Sequence, residues 1–392
     1  MKGLRKYIDT IKPKFQKGGR FEKLESTFEA FESFLFVPKK VTLSGSHIRD
    51  SVDLKRTMIV VVVALMPALL FGMWNVGYQF HKAMGISVSI LADFWFGFQA
   101  VLPIIVVSYV TGLAIEFISA QIRHHEVNEG FLVTGMLIPL IMPVNIPLWI
   151  VAVGTAFAVI FVKEVFGGTG MNIFNPALVA RAFIFFAYPS EISGDSPWIF
   201  GFADSLKGVD GITGATALSY AASGQMESIP SLSDLFFGLI PGSIGETSKL
   251  AIVLGALILI FTGIGSFRIM ISTIAGGVFM TLIFNLIGAN AYMQIDPLTQ
   301  LMMGGFLFGA VFMATDPVTA SQTPSGKIVY GFLIGVFAIL IRVFNPAYPE
   351  GMMLSILLMN TFAPLIDHVV VQNNIRKRLK RLPKINTNVE PK

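Results

Sequence analysis

Apolar runs separated by short polar connections fill the chain from residue 57 to residue 371. Ten runs stand near 57–79, 96–120, 130–143, 147–163, 174–188, 248–264, 267–288, 297–314, 328–342 and 350–371. A bilayer crossing takes about 20 apolar residues, a requirement relaxed by tilt and burial. The pattern therefore predicts an all-α polytopic membrane protein with ten transmembrane helices. Several runs are short or broken by Gly and Pro, as in GMLIPLIMPVNIPLW (135–149), GGTGMNIFNPALVARAF (167–183) and GAVFMATDPVTASQTPSGK (309–327). Non-helical backbone at membrane depth survives only where protein or a cavity satisfies it.

The breaks recur. GFLVTGMLIP (130–139) is similar to GFLFGAVFMA (305–314), and VFGGTGMNIFNPALVARAF (165–183) has a shorter echo in VFNPAYPEGMMLSILLMNTF (343–362). Both of the latter hold Phe-Asn-Pro, at 174–176 and 344–346. The chain thus divides into two five-helix repeats, 57–188 and 248–371. Five is odd, so the second unit is inverted, and inverted repeats with broken helices place sites between them. The small-xxx-small patterns GFLFG (305–309) and GFLIG (331–335) read as helix packing.

Three segments lie outside the runs. Residues 1–56 carry 13 Lys/Arg against 7 Asp/Glu. Within them Phe21, Leu24, Phe28, Phe31 and Leu35 mark one face of an amphipathic helix. It suits packing on the membrane face or a partner, or lidding the entrance of a lipid-soluble substrate. The tail, 372–392, is also basic. By the positive-inside bias both termini are cytoplasmic, which puts 189–247, with 7 acidic residues and one Lys, outside. No cleavable signal peptide is expected, because the basic first residues lack an apolar h-region.

Composition narrows the chemistry. Of 392 residues, 54% are hydrophobic and only 14% charged, and there is no cysteine. Thiolate-held iron–sulfur clusters, disulfides and Cys catalysis are excluded within this chain, and five scattered histidines argue against haem or zinc. No dinucleotide-binding glycine motif or P-loop appears. The net charge of +5 reads as a topology signal, with no nucleic acid as partner.

One polar stretch stands out, DGITGAT at 210–216. Asp210-x-x-Thr213-Gly214-Ala215-Thr216 has the form at which flavin transferases join FMN to the last Thr through a phosphoester. Gly214 and Ala215 leave room for a bulky group, and Thr216 supplies the hydroxyl. Thr is a poor nucleophile without a base or metal, so a separate transferase would form the bond. The plainer reading is a turn leading into a helix.

Other polar residues fall inside apolar runs. Asn172 and Asn175 suit either flavin-edge hydrogen bonding or capping of the helix that Pro176 begins. Arg181 on that helix requires a partner, and Glu164 is the candidate. Gly112 and Glu116 share a helix face at i, i+4, the glycine suited also to close helix packing. Asp316 and Asp367 are further acids within spans, although Asp316 precedes Pro317 and suits a helix end.

In order and content, GSHIRDSVDLKRTMI, GGTGMNIFNPALVARAFIFFAYP and DGITGAT resemble the B-subunit family of the Na⁺-translocating NADH:quinone reductases. The resemblance covers nearly the whole chain. It implies a urea-transporter-like fold in the bacterial inner membrane and five other subunits, A, C, D, E and F. It also implies FMN on Thr216, a non-covalent riboflavin near Asn172, Asn175 and Arg181, and electron delivery to ubiquinone or menaquinone. Quinone contact is implied around Gly112 and Leu113, where the family often has a second glycine. Na⁺ handling is implied at Glu116, Asp316 and Asp367. Two alternatives stay open: the related D component of Rnf ferredoxin:NAD⁺ reductases, which usually lacks so long an N-terminal extension, and a non-redox channel or transporter.

Overall fold

The computed structural model of the chain describes residues 2–15, 19, 28, 32, 42, 44–46, 54–123, 130–194, 196–201, 214–345 and 350–381. Among these residues the chain is helical, without strands. Helix α1 (Lys2–Ile11) opens it. The amphipathic helix expected over 21–36 falls outside the described residues except at Phe28 and Glu32. Phe28 stacks on Phe15 with ring centroids 4.6 Å apart, and Glu32 pairs with Lys12 at 2.7 Å.

Five helices are long and apolar enough to cross a membrane. They are α2 (Leu54–Ala83), α3 (Ile90–Arg123), α10 (Phe267–Ile287), α12 (Pro324–Phe344) and α13 (Met352–Arg381). At 1.5 Å per residue, the 30 residues of α2 run about 45 Å, well beyond a hydrocarbon core of about 30 Å. The other five expected runs also contain helix, but in shorter pieces. They hold α4 (Phe131–Leu140), α5 (Leu148–Phe157), α6 (Pro176–Ala187), α9 (Lys249–Phe261) and α11 (Pro297–Met302). Helix α5 continues as a π-helix over Ala158–Glu164, and a second π-helix spans Gly309–Met313.

Local sequence explains where these helices start. Asn175, Asp296 and Thr323 each precede a proline at the first helical position, and each side chain accepts hydrogen bonds from the opening N–H groups. The cap satisfies donors that would otherwise be orphaned at depth, and proline has no N–H to satisfy. Within 189–247 lie several short helices, among them α7 (Ala217–Ala222) and α8 (Leu232–Phe237). They pack with Ile240, Tyr292, Ile295 and Met303 into a small second core beside the main one. The end of this segment is no surface loop: Ser243, Ile244, Glu246 and Thr247 are all buried.

Close helix pairs depend on glycine. A Cβ at Gly97 of α3 would strike the Met73 carbonyl of α2, and one at Gly335 of α12 would strike the Thr273 carbonyl of α10. Backbones approach this closely in membranes only through small residues. GFLIG therefore packs as expected, whereas Gly305 of GFLFG lies against the Glu246 carboxylate. Overpacking such a contact costs about 1–3 kcal/mol. Gly335→Val should accordingly lower the thermal unfolding midpoint in detergent, and an unchanged midpoint would contradict the α10–α12 contact.

Candidate functional site

Thr216 lies at the start of α7, where its Oγ1 accepts from the Ser219 N–H at 3.2 Å. The residue is half-buried, and Gly214 and Ala215 before it are buried. Asp210 lies outside the described residues. The turn-into-helix reading and an attachment role are compatible here, because the cap uses the oxygen as acceptor and leaves its proton unused.

Thr216 lines a cavity of about 230 Å³. Trp198 and Phe185 contribute aromatic walls, and Arg181, Glu246, Lys249 and Glu350 bring charge into it. Arg181 is the centre of this charge. Its Nη2 donates to Glu350 Oε2 at 2.5 Å, and its Nη1 donates to Glu246 Oε2 at 3.3 Å, to Ser243 Oγ at 3.2 Å and to the Ile141 carbonyl. Glu164 is not its partner: that carboxylate accepts from Ser119 Oγ at 2.6 Å and lies 3.6 Å from Arg123. The α6 helix turns Arg181 toward α4 and the 243–246 segment, away from the end of the preceding span.

Two further buried cations complete the cluster. Arg342 of α12 donates to the carbonyls of Gln300, Met303 and Glu350 at 2.6, 3.0 and 2.9 Å. Lys249 donates to the carbonyls of Glu246, Thr247 and Gly304 at 2.7, 3.2 and 3.0 Å. The side chains of Arg181, Lys249, Arg342, Glu246 and Glu350 carry three positive charges against two negative ones when ionised. Three buried atoms around the cavity have no hydrogen-bond partner: Glu246 Oε1, Glu350 Oε1 and Thr247 Oγ1.

The predicted flavin residues divide between two places. Arg181 belongs to the cavity at Thr216, whereas Asn172 and Asn175 line a second one of about 100 Å³ with Lys163 and Asp316. Asn175 caps α6, its Oδ1 accepting from Ala177 N–H at 3.0 Å. Its Nδ2 donates to Asp316 Oδ2 at 3.4 Å. Asp316 also accepts from Val318 N–H at 3.0 Å and Thr319 Oγ1 at 3.1 Å. Asn172 donates to the Phe174 carbonyl at 3.0 Å, fixing the turn before α6.

Glu116 is buried and ion-paired with Lys163, whose Nζ also sits 5.8 Å from the centroid of the Phe131 ring. That ring occupies the space a Cβ on Gly112 would need. Gly112 thus packs α3 against the start of α4, and Leu113 beside it is half-buried. Asp367 stands apart. Its carboxylate accepts from Ser321 Oγ, Gln322 N–H, Thr323 N–H and Thr323 Oγ1 at 2.7, 2.7, 2.9 and 2.6 Å. These bonds clamp α13 onto the turn that starts α12.

A family model matches residues 41–376, and its description is the NQR2, RnfD, RnfE family. The chain belongs to that family. Similar relatives include the B subunit of the Na(+)-translocating NADH-quinone reductase of Ectopseudomonas mendocina (strain ymp), 47% identical over 97% of this chain and 99% of the relative. Proteins of the same name from Chromohalobacter salexigens and Pseudomonas aeruginosa (strain LESB58) are 47% and 46% identical. The alignments cover 97% of this chain in both cases, and 97% and 99% of those relatives. Family membership thus agrees with the resemblance read from the three motifs.

Sequence reasoning missed Glu246, Lys249, Arg342, Glu350 and Lys163. Arg342 and Lys163 had a signal, since each ends an apolar run that a charge should avoid. Glu246 and Glu350 had none, because the one precedes its run and the other opens its run, where a polar residue is ordinary. Removing one partner of a buried ion pair costs about 3–5 kcal/mol through the charge left behind. Arg181→Met should therefore destabilise the protein strongly, and adding Glu350→Gln should recover part of the loss. Equal instability of single and double variants would show that the bridges carry no such energy.

Proposed function

We propose that this chain is the B subunit of a Na⁺-translocating NADH:quinone reductase, a membrane redox component that is inactive alone. The observation that carries the reading is the position of Thr216: the last residue of a flavin-attachment pattern opens onto a cavity walled by Trp198 and Phe185 and supplied with cations. The residues suit FMN joined through a phosphoester to Thr216 Oγ1. Unpartnered acceptors in the cavity wall match a flavin's hydrogen-bond donors. The net positive charge of the ionised cluster favours the anionic phosphoester. A separate flavin transferase forms the bond, because a Thr hydroxyl is by itself a poor nucleophile.

The finer reading follows the same resemblance. We place ten membrane spans in two inverted five-helix units, with both termini cytoplasmic, the Thr216 loop outside and five partner subunits around the chain. A non-covalent riboflavin lies with one edge at the second cavity, which at about 100 Å³ takes only part of it, beside Asn172 and Asn175. Bound flavins supply one- and two-electron transfer on the way to ubiquinone or menaquinone, with quinone contact around Gly112 and Leu113. Na⁺ is handled at Glu116 and Asp316, and Asp367 acts by fixing the turn at the start of α12.

Co-expression of the chain with its flavin transferase tests the central claim. A denatured gel band should fluoresce under ultraviolet light, and Thr216→Val should abolish the signal. Peptide mass mapping should then find FMN on the Thr216 peptide. A dark wild-type band, with the transferase active on another substrate, would overturn the reading in favour of a non-redox transporter. Quinone reduction by the assembled complex separates the proposal from the Rnf alternative.

A further inference from the structure

Three orphaned acceptors are buried in the wall of the Thr216 cavity. Glu246, Glu350 and Thr247 are 4%, 7% and 3% exposed, so bulk water does not reach them freely. A buried polar atom without a partner costs about 1–3 kcal/mol, more when charged. The second oxygen of each carboxylate is held by Arg181, which fixes the direction of Oε1. Neither carboxylate can turn to satisfy Oε1 without giving up the guanidinium. Backbone carbonyls hold Arg342 and Lys249, so they do not approach either oxygen as donors in this arrangement.

Size decides which part of a ligand belongs here. Pockets that enclose a whole drug-sized ligand run about 300–1,000 Å³. This cavity, at about 230 Å³, takes only part of an FMN. With the phosphoester at Thr216, the part nearest the protein is the ribityl chain, whose hydroxyls are donors. A row of hydroxyls matches two carboxylate acceptors and one hydroxyl. The isoalloxazine, with a single N–H donor in its oxidised form, does not.

We infer that Glu246, Glu350 and Thr247 form a polyol-binding site that seats the ribityl chain of the Thr216-linked flavin. This rests on the flavin reading above and adds its specificity residues. Arg181 is the positioning residue: it aims both carboxylates. Seating the chain converts a flexible tether into a fixed mount for the ring.

The test uses the full chain, flavinylated by co-expression with the transferase and purified in detergent, with time-resolved anisotropy of the flavin as readout. Thr247→Val removes a hydroxyl that bonds nothing in the protein, so it should leave the melting temperature unchanged or raise it. It should nevertheless raise the ratio of mobile to seated flavin about 2- to 10-fold, the weight of one hydrogen bond. Glu350→Gln should do the same or more. A flavin bearing an alkyl chain in place of ribityl, installed by the same transferase, should be mobile in the wild-type chain and no more so in either variant. Absence of flavin on Thr216 would overturn the underlying flavin reading. Flavin present on Thr216, but with a mobility that Thr247→Val, Glu350→Gln and the alkyl analogue leave unchanged, would overturn this inference alone. Additive effects of analogue and variant would overturn it equally, since groups that do not touch act independently.

Discussion

Broken helices within the apolar body leave backbone carbonyls that no water can satisfy, and the rest of this structure is organised around meeting that demand. At the end of α4 the Leu140 and Met142 carbonyls accept from Gly245 and Ile244 N–H groups at 2.7 and 3.2 Å, and Ile141 accepts from Arg181. At the end of α11, Arg342 and Lys249 serve Gln300, Met303 and Gly304. A cation at a helix C-terminus also matches the negative end of the helix dipole. Each break thus pulls charge into the core, and the charge in turn recruits Glu246 and Glu350. The cavity at Thr216 is bordered by the result.

The same logic separates the two cavities chemically. One is built around arginine and lysine with carboxylates that have oxygens to spare. The other is built around amides, with Asn175 tying the cap of α6 to Asp316. Lys163, already committed to Glu116, closes its edge. A polar network in a low-dielectric interior is costly when half satisfied, and the first cavity carries that cost at Glu246, Glu350 and Thr247.

Much of this could be read in the sequence, and the failures have physical causes. Helix existence followed from apolar runs, and breaks followed from Gly and Pro. Asn175-Pro176 announced a helix start because a capping side chain before proline has few other uses. The π-helices left no trace, since an i→i+5 bond needs no special composition. Thr216 was legible as a local pattern. The partners of Arg181 were not: Glu246 and Glu350 lie 65 and 169 residues away, and only folding brings them together. Choosing Glu164 from its nearness in sequence ignored the direction in which α6 presents the guanidinium.

That separation constrains how the protein is made. Arg181 is synthesised with the first half, whereas Glu350 emerges from the ribosome 169 residues later. Until then the guanidinium sits in a half-built bundle with its strongest counter-ion missing. The first half therefore cannot reach its final electrostatic state as an autonomous unit. Maturation of the whole waits for α13, and Glu350 at its threshold supplies the missing counter-ion.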